Sequence, residues 1–593
     1  MRLQPSKYAT LLLIREPSTR LSRRCPEYSL MNAPARLALL AAALCPHMLF
    51  AQPKPQPAKF PDPAPITSPT PREGPSDVWW NDAVFYEIFV RSFKDSASGP
   101  NANDGIGDFD GITEKLDYLN NGKNDGSSLG VTGLWLMPIF PSPSYHGYDV
   151  TDYRATNPDY GSIDSFKRLV SECHKRGIRV ILDLTLNHCS SKHPWFVEAS
   201  KPGSPTRDWF VWAKEPPAKQ GGAYGGSPWH KLGDEYYYGL FSAGMPDFNC
   251  TNPAVTQALH DLSAFWLKDV GVDGFRLDAI RHLIEVDGKQ ENTPETHAWI
   301  KDYRKFIKAA NPQCMTVGEV WDSSANASKY VGDELDMVFE FQMAGATLEA
   351  INKGRARPLQ KAYAEVAGAY PLNQYGTFLT NHDQNRVMTE LAGDRRKLRL
   401  AASLLLTGPG VPFIYYGEEI GMEGAKPDEN LRRPMQWTDD EYAGFSAHAP
   451  WEAVDENHST HNVRSEEQCQ SSLLKTYQKL IRLRMQHPAL RRGSMSLVKG
   501  SDPGLYSFLR THTSGSGELE AMLVVVNLTG KTVRNPALSL PASPLRGRFV
   551  SKEILFGDPT NPLAADDQGG FSGYQPADAI QPFDVLVLNL EHQ

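Results

Sequence analysis

The sequence predicts an α/β protein: a (β/α)8 TIM barrel with a small domain inserted after strand 3 and a C-terminal antiparallel β-sandwich domain. Three observations predict it. Short β-rich runs alternate with helical stretches from Trp79 to His487, one long segment interrupts that alternation, and from Arg491 onward β runs follow one another without a helix.

Eight strands are expected at 84–90, 133–137, 180–184, 274–277, 314–319, 337–341, 378–380 and 411–416. Helical stretches at 165–176 and 255–270 lie between them, which favours a closed barrel over an open doubly wound sheet. Residues 189–253, rich in Trp, Tyr, Gly and Pro, are too many for an ordinary loop and form the inserted domain. After a helix at 473–487 come β runs at 505–510, 521–527, 549–555 and 585–590. The expected boundaries are 1–51 for a signal or N-terminal extension, 52–77 for a linker, 78–188 and 254–490 for the barrel, 189–253 for the insertion and 491–593 for the C-terminal domain.

With 593 residues, 22% charged and 40% hydrophobic, the chain is too apolar to be disordered and long enough for several cores. Lys and Arg total 61 against 69 acidic residues, and no dense basic stretch is present to neutralise a phosphate backbone, so no nucleic acid partner is expected. The longest apolar run, 37–45, is broken by Pro46 and His47 and falls short of the roughly 20 residues of a membrane span. If translation begins at Met31, then Arg36, that run and Ala51 form a short secretory leader, and a periplasmic or secreted monomer is expected. Nine prolines between Gln52 and Asp77 mark an extended linker. Of seven cysteines, Cys173, Cys189, Cys250, Cys314 and Cys469 would survive cleavage. None is in a CxxC pair or at zinc-finger spacing, so zinc is not expected. Cys189 and Cys250 share the insertion and could be bridged, but free thiols are the preferred reading.

In such a barrel the reacting groups sit at the C-terminal strand ends, so acidic residues closing strands take priority. Strand 3 ends in DLTLNH (183–188), strand 4 in GVDGFRLDAI (271–280), strand 5 in VGEVW (317–321) and strand 7 in FLTNHD (378–383). Asp278, Glu319 and Asp383 would therefore converge on one mouth. A lone carboxylate there is more often a helix cap or solvated loop residue. Several crowded together, with Arg276 two residues before one of them, can hold different ionisation states, as glycoside cleavage requires.

These motifs resemble the α-amylase superfamily of glycoside hydrolases. All four strand-end motifs occur in order, with SYHGYDVTDY (144–153) after strand 2 and MPDFN (245–249) in the insertion, and the resemblance runs from Trp79 to about Leu590. It implies that Asp278 is the nucleophile, Glu319 the general acid and base, and Asp383 the carboxylate that holds sugar hydroxyls. Arg276 should depress the pKa of Asp278, while neighbouring carboxylates raise that of Glu319. His146, His188 and His382 are implied to hydrogen-bond the sugar, Tyr148 to stack on it, and Asp428 with Arg432 to clamp it, although an i, i+4 pair can equally be a surface ion pair. Trp321 and Trp437 are sugar platforms or structural aromatics.

Oxygen donors in a glycine-containing loop, Asp95, Asn101, Asn103, Asp104 and Asp108 with the carbonyl of Ile106, suit a structural calcium ion, and the family's oligosaccharide-acting branch has a similar, shorter loop. Asn187 resembles a ligand of a different calcium site, with no partners evident in the sequence. By the same resemblance, Ala279 after the nucleophile points to α-1,4 bonds, and MPDFN is close to the MPDLN group that contains bacterial α-amylases. RRPMQW instead resembles α-glucosidases and trehalose-forming transferases. A retaining, endo-acting α-amylase on starch and maltooligosaccharides is the expected function. An exo-α-glucosidase or glucosyl transferase is the alternative, and a non-catalytic binding or chaperone homologue is the reading from another class.

Overall fold

The computed structural model describes residues 66, 69, 71–74, 78–123, 125–217, 220–556 and 561–593. The expected leader lies outside them, as does most of the linker. Eight parallel strands close into a barrel: β1 (Phe85–Ile88), β2 (Gly133–Leu136), β3 (Arg179–Thr185), β4 (Gly274–Asp278), β5 (Met315–Gly318), β6 (Met337–Phe339), β7 (Tyr375–Thr377) and β8 (Val411–Tyr415). Consecutive strands are neighbours, and β1 closes on β8. Strand 7 lies three residues before the expected 378–380. Its ladder is set by pairing of Tyr375 and Gly376 with Val338 and Phe339 and of Gly376 and Thr377 with Val411 and Pro412. The apolar Phe378 follows the strand and packs edge-on against the rings of Phe339 and Phe341.

Alternation along each strand fixes what lies inside. Phe85, Trp135, Ile181, Met315, Val317, Met337, Phe339, Val411 and Phe413 fill the barrel, while Tyr86, Leu134, Leu182, Phe275 and Leu277 join the cluster under the outer helices. The same period, carried one or two steps further, turns Glu87, Asp183, Arg276, Asp278 and Glu319 inward above this apolar plug. Asp183 stands directly opposite Arg276 in the β3–β4 register.

The insertion contributes the helix Pro194–Ala199 and a small antiparallel sheet of Trp212–Ala213, Glu235–Tyr238 and Trp229–Leu232. Bridges from His188 to Asp247 and from Phe210 to Phe248 tie it back to the end of β3. Cys189 and Cys250 are buried there as free thiols and are not bridged. Past the helix Leu473–Gln486, the C-terminal domain is an antiparallel ladder of eight strands with a separate two-stranded ribbon. Leu519–Asn527 is apolar without alternation because both faces are covered: Met522, Val524 and Val526 pack toward the barrel cluster, and Leu523 and Val525 into the domain's own core. Arg510, fully buried, donates to the carbonyls of Thr407 (2.8 Å) and Gly493 (2.9 Å) and fastens this domain beside β8.

Gly133 shows how tightly the barrel is filled: a Cβ there would lie 2.5 Å from Cδ1 of Phe85, whose ring stacks on Phe413 at 4.5 Å. Gly133→Ala should therefore cost about 1–3 kcal/mol of unfolding free energy by overpacking, measured by urea denaturation. An unchanged midpoint would show that the plug has slack.

Candidate active site

Arg276 organises the mouth of the barrel. It is 1% exposed, and its guanidinium reaches Asp183 Oδ1 at 2.9 Å, Asp278 Oδ1 at 2.6 Å and Glu319 Oε2 at 2.8 Å. Asp278 binds one terminal nitrogen and Glu319 the other, so the two carboxyl groups are held side by side. Asp183 is fully enclosed and also accepts from Tyr148 Oη (3.0 Å) and Trp135 Nε1 (3.3 Å). Glu319 Oε2 accepts the backbone N–H of Ala279 at 3.2 Å. Ala279 sits in the left-handed region at φ 48°, where a β-branched side chain would be strained.

Asp383 belongs to a second ion cluster. Its oxygens meet His382 Nε2 at 3.1 Å and Arg432 Nη2 at 2.9 Å, and His382 Nδ1 is 2.6 Å from Glu87 Oε1. Tyr148 Oη, 2.8 Å from His382 Nε2, connects the two clusters. The side chains of Asp278, Glu319 and Asp383 are 12, 17 and 32% exposed, increasingly open to a cleft of about 680 Å³. That cleft is also lined by His146, Tyr148, His188, Trp321, Asp428 and Arg432.

The charge states follow from these contacts. Burial pushes the carboxyl of Asp278 well above the ordinary range. Arg276 opposes this, and Glu319 and Asp183 add to it. The expectation that Arg276 simply depresses this pKa is thus corrected: one guanidinium is divided among three carboxylates, and at Asp278 burial outweighs its share. Asp383 is different. Its burial opposes ionisation, yet His382 and Arg432 hold it well below the carboxylate range. Burial likewise disfavours charge on His382, but Asp383 and Glu87 outweigh it and raise the imidazole to about 10. His188, buried with Nε2 unpartnered, is pushed down to about 4 by burial and is neutral.

Asp278, Glu319, Asp383, His146, Tyr148, His188, Asp428 and Arg432 thus share one cleft, while Arg276 and His382 are not among its lining and contact the carboxylates. Arg432 pairs with Asp428 at 3.3 Å and also reaches Asp383, so the pair is more than a surface contact. Lys426 adds a second cation on Asp428. Trp321 is 46% exposed on the cleft wall, its inner face stacked on Phe341 at 4.5 Å. Trp437 is no platform: it is buried and donates Nε1 to the Phe93 carbonyl. Glu87 and Asp183, absent from the expected site residues, complete the network. Their signal is a carboxylate at even spacing inside an apolar strand, FYEI and RVILDLT.

In the loop expected to bind calcium, Asp95 accepts from the backbone N–H groups of Asn103 (2.7 Å) and Gly105 (2.8 Å) and from Ser446 Oγ (2.6 Å). Asp108 caps a helix through Gly111 N–H (2.7 Å) and accepts from Ser96. Asp104 accepts from Ile106 N–H (2.9 Å), and Asn101 donates to the Pro158 carbonyl (2.8 Å). Among the described residues no three His, Cys, Asp or Glu side chains converge as a metal cage. Asn187 has a partner in the insertion, Asp247, at 3.0 Å.

Paired carboxyl groups over a buried arginine, at the C-terminal rim of a (β/α)8 barrel, define the class: a glycoside hydrolase. The family is fixed by comparison. Residues 87–493 match the model of the α-amylase catalytic domain, and the chain belongs to that family. It is 39% identical over 442 residues to Alpha-amylase 3 of Dictyoglomus thermophilum, covering 73% of this chain and 83% of that protein. It is 36% identical over 542 residues to the trehalose synthase of Thermus thermophilus, covering 82% of this chain and 54% of that protein. The crystal structure of an α-amylase from H. orenii superposes with a TM-score of 0.75 at 38% identity, over 86% of this chain and 99% of the other.

The His382 charge has a consequence for stability. A histidine in an unfolded chain titrates near 6.5, so the stabilisation its ion pairs supply is complete below about pH 6.5 and is lost as pH rises through about 10. The difference in unfolding free energy between wild type and His382→Asn should shrink between pH 7 and 10. A difference that stays constant across that window would show that His382 does not titrate there.

Proposed function

We propose that the protein is an endo-acting α-amylase that hydrolyses α-1,4-glucosidic bonds of starch and maltooligosaccharides with retention, through a covalent glycosyl-enzyme intermediate. The observation that carries this reading is the sharing of one buried guanidinium by Asp278 and Glu319. Asp278, ionised, attacks the anomeric carbon. Glu319, as general acid, gives its proton to the departing oxygen and then takes one from the water that releases the sugar. Asp383, kept anionic by His382 and Arg432, accepts hydrogen bonds from hydroxyls of the reacting sugar.

The α-1,4 preference is supported by the small Ala279 beside Glu319 and by the two α-amylases among the similar proteins. The alternative of an exo-α-glucosidase or glucosyl transferase draws on the Lys426–Asp428–Arg432 cluster crowding one end of the cleft and on the trehalose synthase relative. Retention of all three carboxylates weighs against a binding or chaperone role. We also propose calcium as a structural ligand of loop 95–108, supported by its oxygen-rich composition, and export of a monomer, supported by the apolar run 37–45 ahead of Ala51.

Products from an end-blocked maltoheptaose test the reading. Internal cleavage is expected, and Glu319→Gln should lower kcat on it by about 10²–10⁴-fold. An intact blocked substrate alongside cleavage of the unblocked one would favour exo action, and full activity in Glu319→Gln would remove Glu319 from its role.

A further inference from the structure

Arg432 is fastened at both ends, and one fastening leads away from the cleft. Its guanidinium meets Asp383 and Asp428 and donates Nε to the His382 carbonyl at 3.1 Å, with 3% of the side chain exposed. The ring of Tyr145 lies 5.8 Å from the guanidinium carbon. The backbone carbonyl of Arg432 accepts the hydroxyl of Ser92, a fully buried residue in the short helix Val90–Phe93 that follows β1.

Both fastenings have a common neighbour. Trp451 donates Nε1 to the Ser92 hydroxyl at 2.9 Å, so that one oxygen accepts from the indole while its own proton goes to Arg432. The indole also stacks on Tyr145, with centroids 5.2 Å apart and planes 26° from parallel, and meets Phe89 edge-on at 5.9 Å. Ring contacts of this kind, together with a satisfied N–H, fix both the position and the tilt of the indole. Neither Trp451 nor Tyr145 is among the residues lining the cleft, so Trp451 acts on a bound sugar through other side chains.

The indole is in turn set by loop 95–108. Trp451 N–H donates to the Gly105 carbonyl at 2.9 Å, and the approach there is so close that a Cβ on Gly105 would lie 2.2 Å from the Ala449 carbonyl oxygen. At the other end of the same segment, Ser446 Oγ donates to Asp95 at 2.6 Å and the Asp95 N–H donates to the Phe445 carbonyl at 3.1 Å. Residues 445–451 therefore follow the shape of loop 95–108, and the last of them delivers that shape to Arg432.

We propose that Trp451 is a positioning residue of the glycosidase reaction: it sets Arg432, and through Arg432 the carboxylate of Asp383, against the reacting sugar, and it couples this clamp to loop 95–108. The inference rests on the reading of Asp383 and Arg432 as the groups that hold that sugar. Hydrogen bonds to sugar hydroxyls strengthen as the ring distorts toward the transition state, so a displaced carboxylate loses more there than in the ground state, and the loss falls on kcat.

The test is a double-variant cycle of Trp451→Ala and Arg432→Ala, on whichever of maltoheptaose or p-nitrophenyl α-glucoside the wild type cleaves. Trp451→Ala should lower kcat/KM by about 10–100-fold, mostly in kcat. Trp451→Phe, which keeps a ring against Tyr145, should restore part of the loss. In the Arg432→Ala background Trp451→Ala should cost less than about threefold, because the group it positions is already gone. Should Trp451→Ala not fold, Ser92→Ala, which cuts the link from the indole to the Arg432 carbonyl, takes its place in the cycle. Ser446→Ala, which releases the segment from Asp95, should lower kcat in the wild type and add nothing in Trp451→Ala; equal losses in both would remove loop 95–108 from the role. Losses that multiply in the double variant, or full kcat/KM in Trp451→Ala, would overturn the positioning role and leave the clamp standing. Undiminished kcat/KM in Arg432→Ala would overturn the clamp and the proposal with it.

Discussion

One buried guanidinium governs the mouth of this barrel. Arg276 is enclosed, positively charged and in contact with three carboxylates from three adjacent strands. A buried charge of this kind is tolerated only when its partners are fixed around it, and stripping away one partner leaves an uncompensated ion. The partners are fixed by the simplest regularity in the fold. Side chains alternate along a strand, and on β3, β4 and β5 the inward set passes from Ile181 and Met315 to Asp183, Arg276, Asp278 and Glu319. The apolar plug below supplies the low-dielectric floor, and the polar layer above it supplies the chemistry.

A division of labour follows from how the cations are distributed. Arg276 is spread over Asp183, Asp278 and Glu319, and burial still outweighs it at Asp183 and Asp278. Asp383 meets two cations, His382 and Arg432, which it shares with Glu87 and Asp428, and is held ionised. The same cleft thus keeps the carboxylate of Asp383 charged while pushing the carboxyl of Asp278 up. Glu87 supports the arrangement from beneath by holding His382 protonated, and Tyr148 joins the two clusters through one hydroxyl.

Much of this is legible in the sequence because it depends on periodicity. Alternation of strand and helix gives the barrel, and acidic residues at the ends of apolar runs give Asp278, Glu319 and Asp383. Depth is harder to read. His382 and Arg276 carry the same residue types as cleft-lining groups, yet they sit one layer lower, and Trp437 is buried where Trp321 is open. Strand 7 lies earlier than the sequence suggests because Phe378 and Leu379 look like strand residues, while the register is set by partners on β6 and β8. Glu87 and Asp183 are single carboxylates within apolar strands, easily passed over until the third dimension pairs them with His382 and Arg276.

Cleavage with retention requires Asp278 to be the ionised carboxylate at the moment of attack. Incubation with a slowly released 5-fluoro-α-glucosyl fluoride, followed by peptide mass mapping, reports this directly. A single sugar adduct on the peptide containing Asp278, discharged on addition of maltose, is the predicted result. An adduct on Glu319 or Asp383, or steady turnover with no adduct on any carboxylate, would contradict it.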